Sequence, residues 1–254
     1  MKGDGMDSIR VFTAKACFAP LNEAARLYEK ERGVRIETLV CGRACANSVA
    51  KDTSRGHEVV LGQPETFLLE IRDMEGLDIA IAGAEYLFDD GEDHGIILGA
   101  TRRSLGLRES AILVGKGNPH GIRGLRDLLR PGLRIGVSVI DCLKGMWEDI
   151  CGRERIVEKV RANITTHLTG CVAITQAVVE GKVDVGFGWT TFKALSGNRL
   201  DVVRLPRNQR VYRSTSAAVM KQSRNAKAAE DFIGFLASDT GKSIYEKHGW
   251  IAEP

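Results

Sequence analysis

The sequence predicts an α/β fold in which strands and helices alternate and most strands run parallel. Residues 11–36 read as a strand, a turn, a helix and a second strand, which is the unit from which parallel sheets are built. The same alternation continues along all 254 residues without an internal repeat or a long linker. A chain of this length buries a real core either as one large domain or as two lobes of roughly 100 to 150 residues.

The first predicted unit shows how each element is inferred. Pro20 stands in the first turn of a helix, where proline is tolerated, and apolar residues recur at helical spacing from 21 to 28. Gly33 is expected to end this helix, and the next strand follows at once. Ligands bind in the strand-to-helix turns of such folds, and this turn contains Cys17.

The same reasoning gives the remaining elements. The predicted strands are 9–13, 35–40, 77–82, 95–100, 110–115, 133–139, 183–188, 201–205 and 212–220. The predicted helices are 20–32, about 44–53, 64–74, 122–130, 142–151, 153–161, 171–180, 225–237 and 239–248. Ser238 is the expected N-cap of the last helix.

Composition excludes several classes of protein. Hydrophobic residues make up 43% and charged residues 27% of the chain, as in ordinary soluble proteins. The net charge of +3 is too small to indicate a nucleic-acid partner. No apolar run approaches the roughly 18 residues that span a bilayer, so membrane insertion is not expected. A complete chain would be cytoplasmic, whereas a chain whose leader had been removed would be periplasmic or extracellular.

Four separated blocks carry a resemblance to a known family. The blocks are VFTAKACFAPLNEAARLYEKERGV, GKGNPHGIRGLRDLLRPGLRIGVS, QAVVEGKVDVGFGW and AAEDFIGFLASDTGKSIYEKHGW. In this order they resemble the molybdate- and tungstate-binding proteins of ABC importers, which are two-lobed type II periplasmic binding proteins. The resemblance implies two lobes, each a mostly parallel sheet flanked by helices, with the ligand in a cleft between them. Lobe I is placed at 1–104 plus 206–254 and lobe II at 105–205, with an extra segment around 59–75.

The residues that bind the oxyanion in that family are changed in this chain. The resemblance implies two serines and a tyrosine whose hydroxyls donate to the ligand oxygens. The matching positions fall at or beside Ala16, Arg43 and Trp189, and none of the three carries a hydroxyl. Because an oxyanion accepts but does not donate hydrogen bonds, the loss of three neutral donors changes what the site can hold.

Cysteines stand near these positions instead. The chain has six cysteines, and five of them fall in the turns that the resemblance places at the cleft: Cys17, Cys41, Cys45, Cys142 and Cys171. The positive end of a helix lowers the pKa of a thiol and donates to metal-bound sulfur. The sixth, Cys151, is expected to be a core residue.

The leading hypothesis is therefore a binding protein, not an enzyme, that holds a cysteine-ligated iron-sulfur cluster, most simply 4Fe-4S, or another thiophilic metal species. Four thiolates suit such a cluster and three suit a soft trigonal ion such as arsenite. The proposed ligands are Cys17, Cys45, Cys142 and Cys171, with Cys41 as the alternative to Cys45.

Nearby polar residues would have supporting roles. Lys15, Arg43 and Lys144 would offset the negative charge of the thiolates, and His167 is a further ligand candidate. Each of these residues also has an ordinary explanation, since lysine and arginine are usually solvated and a free cysteine is often a small core residue.

Two alternatives remain open. One is a molybdate, tungstate or other oxyanion receptor that uses backbone N–H groups and Arg43 in place of hydroxyls. The other is a cytoplasmic enzyme, because folds of this type also carry catalysts. The expected partners are an ABC transporter permease for an importer, or a recipient protein for a metallocluster.

Overall fold

The computed structural model describes residues 8–41 and 66–252, and the chain divides into two compact units. Among the described residues, unit 1 consists of 8–41, 66–107 and 213–252, and unit 2 consists of 108–212. The predicted helix at 44–53, together with Cys45 and Arg43, lies outside the described residues.

The elements have the following bounds. The strands are β1 Ser8–Thr13, β2 Arg35–Val40, β3 Ile79–Ala82, β4 Ile97–Gly115, β5 Ile135–Ser138, β6 Ile164–Leu168, β7 Val185–Trp189, β8 Leu200–Arg204 and β9 Tyr212–Met220. The helices are α1 Phe18–Arg32, α2 Thr66–Arg72, α3 Glu85–Asp93, α4 Met146–Arg153, α5 Val157–Arg161, α6 Gly170–Val179, α7 Phe192–Leu195, α8 Ala226–Leu236 and α9 Asp239–Lys247.

Unit 1 is built on a sheet in the order β2-β1-β3-β9. Strand β1 pairs in parallel with β2 and β3, while β9 is antiparallel to β3. Helix α1 buries Leu21 and Tyr28 in the core of this unit. The ring of Tyr28 lies 4.9 Å from that of Phe232 on α8, between centroids. Chain segments far apart in sequence therefore share one apolar core.

Unit 2 has a mixed sheet in which β5 is parallel to both β6 and β7. Strand β4 adds antiparallel to β7 and also to β8. Helix α6 lies close to this sheet because β7 carries Gly186, where an added Cβ would come 2.9 Å from the side chain of Ile174. The carboxyl ends of β5 and β6 coincide, since Ser138 pairs with Leu168.

The predicted α/β fold is confirmed, with local differences. The two strands expected at 95–100 and 110–115 are one strand, β4, of 19 residues. Its middle, TRRSLGL, is mostly half-buried or exposed and reads as a loop in the sequence. The antiparallel neighbours come from β4, β8 and β9.

Short or polar elements account for the other differences. The sequence analysis did not predict helices α3 and α7, and it gave no bounds for strand β6. These three segments are short or lack a regular apolar period. The helix expected at 122–130 is a 3-10 turn at Leu125–Leu129. Within the described ranges, no helix combines the length and apolar character needed to cross a membrane.

Candidate functional site

The carboxyl ends of β5 and β6 place two cysteines in the same part of unit 2. Val139 N donates to Leu168 O at 3.1 Å, and Gly170 N donates to the hydroxyl of Ser138 at 3.0 Å, which ties the two strand ends together. Cys142 follows β5 in a 3-10 turn that packs against α6, and Cys171 lies in the first turn of α6. Both cysteines are buried.

Arg108 is a buried cation in the same unit. Strand β4 carries it two residues before Ser110, which pairs with Trp189 at the end of β7. The guanidinium carbon of Arg108 lies 4.6 Å from the centroid of the Trp189 ring, and both residues are 0% exposed. Arginine keeps its charge when buried, so its surroundings must supply electrons or hydrogen-bond acceptors. The indole face supplies part of this through a cation–π contact.

The pKa of Cys142 shows that these side chains share one environment. Burial raises the pKa of the Cys142 thiol, and the thiol of Cys171 raises it further. The positive charge of Arg108 and hydrogen bonds from Arg108 and Trp189 act in the opposite direction. We refer to Arg108, Cys142, Cys171 and Trp189 as the Arg108 cluster. The raised pKa keeps the Cys142 thiol protonated at neutral pH.

Two buried donors in this region lack a good acceptor. Within the described ranges, the indole nitrogen of Trp189 has no partner that meets ordinary hydrogen-bond limits. Its N–H nevertheless lowers the pKa of the Cys142 thiol. The Thr191 hydroxyl, in a residue 7% exposed, also has no partner there. Thr190 N donates to Glu109 O at 2.9 Å, which holds this turn against β4. Such donors suit the oxygens of an anion.

The cysteines of unit 1 have different surroundings. The Cys41 sulfur accepts a hydrogen bond from Lys15 N at 3.2 Å. Cys17 is 0% exposed within the apolar core of unit 1, and its sulfur lies 4.0 Å from the Thr215 hydroxyl oxygen. That oxygen also accepts from the indole N–H of Trp250 at 2.8 Å. Cys17 is thus packed as a core residue.

The remaining predicted residues are not drawn into one site. The Lys15 side chain is exposed with its amine 5.6 Å from the Phe18 ring, and Lys144 and His167 are partly buried. Cys151 lies in the core of unit 2, where burial raises its pKa to about 12. Across residues 8–41 and 66–252, no three His, Cys, Asp or Glu side chains are grouped so as to hold a metal ion. Among the described residues, Cys142 and Cys171 thus share one part of unit 2, and no third candidate ligand is grouped with them, while Cys45 lies outside the described residues.

Two residues of this region were missed by the sequence reasoning. Arg108 and Thr191 carry no motif, and Trp189 was noted only as a position that lacks the family's hydroxyl. The available signal was a single arginine just before the apolar run SAILVG of β4. A charged residue at the edge of a buried strand is costly unless it has a partner or a ligand.

A family model described as bacterial extracellular solute-binding protein matches residues 9–251. The chain belongs to this family. Among its relatives, this solute-binding protein is 24% identical over 143 residues to the molybdate-binding protein ModA of Mycobacterium tuberculosis. That match covers 55% of this chain and 52% of the relative, so the chain spans about half the length of the relative it matches.

Solved structures share the fold over nearly the whole solute-binding protein. Peb3 from Campylobacter jejuni has a TM-score of 0.73 and 21% identity, covering 96% of this chain and 99% of the other. A structure of PEB3 bound to L-phospholactate gives a TM-score of 0.77 at the same identity and coverage. The periplasmic molybdate-binding protein of Azotobacter vinelandii has a TM-score of 0.72 at 14% identity, covering 96% and 98%. At these identities the likeness establishes the type II periplasmic binding protein fold.

Proposed function

We propose that this solute-binding protein binds a small oxyanion, with molybdate and tungstate as the first candidates, and delivers it to an ABC importer. In this proposal the Arg108 cluster and Thr191 supply groups that bind the ligand. The proposal is supported by the family and by relatives that are named molybdate-binding proteins. An importer of this kind works with a permease and receives its solute outside the cytoplasm.

The buried charge of Arg108 is the observation that carries the proposal. A guanidinium presents several N–H donors in a fixed plane and forms its strongest hydrogen bonds with anionic oxygens. The indole N–H of Trp189, whose ring lies 4.6 Å from the guanidinium, and the hydroxyl of Thr191 two residues later add neutral donors. A full positive charge thus compensates for the absent family hydroxyls and favours a ligand that carries negative charge.

The iron-sulfur hypothesis needs more sulfur than this region supplies. Protein-bound clusters are usually held by four thiolates, whereas the described part of unit 2 brings together Cys142 and Cys171 and leaves Cys151 in the core. The oxyanion alternative therefore replaces the cluster as the proposal, and with it the importer permease replaces a metallocluster recipient as the proposed partner.

We also propose binding rather than catalysis. A catalytic cysteine works as a thiolate with a base in hydrogen-bond reach. Burial raises the pKa of Cys142, which disfavours the thiolate that catalysis would need. Turnover of any substrate that is abolished by Cys142→Ser would contradict this part of the proposal.

Calorimetric titration tests the oxyanion assignment. Purified protein is titrated with molybdate, tungstate, sulfate and phosphate, and at least one is expected to bind in a 1:1 ratio. Arg108→Gln should weaken that ligand about 100-fold, because a buried anion would lose its charged partner. Thr191→Val, which keeps the shape and removes one hydroxyl, should weaken it about tenfold.

Arg126→Gln is the matched control, because Arg126 is an exposed arginine of the same unit. It should leave the affinity unchanged. Circular dichroism of each variant separates loss of binding from loss of folding, and Thr191→Val serves as the test if Arg108→Gln does not fold. An unchanged affinity in a folded Arg108→Gln variant, or no binding of any of the four anions to the wild type, contradicts the proposal.

A further inference from the structure

We propose that the thiols of Cys142 and Cys171 form a two-coordinate site for one soft monovalent d10 cation, with Cu(I) as the representative ion. This inference goes beyond the oxyanion function, because it assigns a second kind of ligand to the same region of unit 2. Soft thiolate ligands select Cu(I) over harder ions.

The fold places Cys142 and Cys171 in the same part of unit 2. Strands β5 and β6 are adjacent and parallel, with Ser138 opposite Leu168, so their carboxyl ends leave the sheet side by side. Cys142 comes four residues after Ser138 and Cys171 three residues after Leu168. The turn that carries Cys142 packs on α6, which carries Cys171. Burial raises the pKa of the Cys142 thiol, and Cys171 raises it further.

The charge balance of the cluster suits this ion. Binding breaks two S–H bonds, forms two S–Cu bonds and releases two protons to solvent, with no change of oxidation state. The resulting bis-thiolate carries one negative charge. Arg108, which is buried and already within hydrogen-bond reach of the Cys142 sulfur, carries one positive charge. A buried ion pair of matched charge avoids the cost of an uncompensated thiolate complex.

The site provides two candidate ligands, the thiols of Cys142 and Cys171. Zinc is ordinarily held by three or four protein ligands and an iron-sulfur cluster by four, and no group of three or more candidate ligands occurs in the described segments. A cation that is satisfied by two sulfurs needs no third residue. The surrounding apolar and aromatic side chains would exclude water and competing hard ligands.

The test is an anaerobic competition titration of the reduced protein with Cu(I) held by the colorimetric chelator bicinchoninate. The wild type should remove one equivalent of Cu(I) from the chelator. Cys142→Ser and Cys171→Ser should each weaken binding at least about 100-fold, since one sulfur is lost from a two-sulfur site. X-ray absorption at the copper edge should show two sulfur neighbours.

Cys151→Ser is the matched control, because Cys151 is a buried thiol of the same unit that belongs to its core. This variant should bind Cu(I) like the wild type. Alanine versions of Cys142 and Cys171 replace the serine versions if the latter do not fold. The proposal is overturned if a folded variant that lacks both Cys142 and Cys171 binds Cu(I) with wild-type affinity. It is also overturned if the wild type takes up no Cu(I).

The result can be distinguished from that of the oxyanion titration. Anion binding that depends on Arg108, without Cu(I) uptake, overturns only the metal site. Uptake of Cu(I) that depends on both cysteines, without anion binding, overturns only the oxyanion function.

Discussion

Cys17 and Cys142 show how the same residue at the same kind of position acquires different surroundings. Each follows the carboxyl end of a parallel strand in its unit. Cys17 is the N-cap residue of α1, and its sulfur lies in the apolar core beside Thr215. Cys142 instead lies beside the guanidinium of Arg108. The direction of each side chain depends on the packing of the helix that follows the strand.

This difference marks the limit of prediction at the scale of the residue. The sequence locates cysteines at strand ends, because the pattern of apolar runs and turns fixes where strands stop. It does not locate Arg108 beside Cys142, because that contact joins β4 to a turn more than 30 residues later. Contacts of this range follow from sheet order, which local patterns do not specify.

Replacing Cys17 by alanine tests its role as a core residue. We expect Cys17→Ala to lower the free energy of unfolding by about 1 kcal/mol, because it removes a buried sulfur that packs on apolar neighbours. Denaturant unfolding without any added ligand or metal measures this. A variant as stable as the wild type that has lost ligand binding would instead support the predicted ligand role of Cys17.

At the scale of the element, α8 and α9 show why glycine must be interpreted in context. Gly234 lies on the exposed face of α8, and nothing approaches within 4 Å of an added Cβ. Gly241, in the first turn of α9, would place a Cβ 2.2 Å from the backbone oxygen of Leu236. Its amide donates to the Ser238 hydroxyl at 3.3 Å, which confirms Ser238 as the predicted cap.

The two glycines give opposite predictions for the same substitution. Gly234→Ala should raise the free energy of unfolding by roughly 0.5–1 kcal/mol, because alanine favours the helix. Gly241→Ala should lower it by about 3 kcal/mol, because backbone atoms would have to move. Denaturant unfolding of both variants provides the comparison. Two changes of the same sign would contradict the description of the α8–α9 connection.

The elements that the sequence predicts well are those with a strong period or clear stops. Helix α1 ends at Gly33, which has φ of 68° and donates its N–H to Glu29 O at 2.9 Å, as the helix-stop pattern indicates. Strand β4 was divided in two, because its polar middle gives no alternating pattern. Its continuity comes from hydrogen bonds to other strands rather than from its own residues.

At the scale of the whole molecule, ligand binding should appear as stability. A ligand that binds only the folded chain at about 100 times its dissociation constant adds roughly 2.7 kcal/mol. For a chain of this size, each kcal/mol raises the unfolding midpoint by about 2–4 °C. We therefore expect the anion identified by calorimetry to raise the midpoint by about 5–10 °C in differential scanning calorimetry.

Arg108→Gln and its matched control Arg126→Gln show whether the rise in the unfolding midpoint depends on Arg108. Arg108→Gln, with its affinity about 100-fold weaker, should reduce the shift at the same anion concentration to about 1–2 °C, and Arg126→Gln should preserve it. An equal shift in all three proteins would show that the anion stabilises the chain through general salt effects rather than through the Arg108 cluster.

The segmented construction of unit 1 has a consequence for how the protein is made. Strand β9 and helices α8 and α9, which supply Val219, Phe232 and Tyr245 to the core of unit 1, all come from the last described segment. During synthesis, every described residue of unit 2 leaves the ribosome before this segment does. The earlier segments of unit 1 therefore keep apolar surfaces uncovered until residues 213–252 have been synthesised, and chaperones can bind them during that interval.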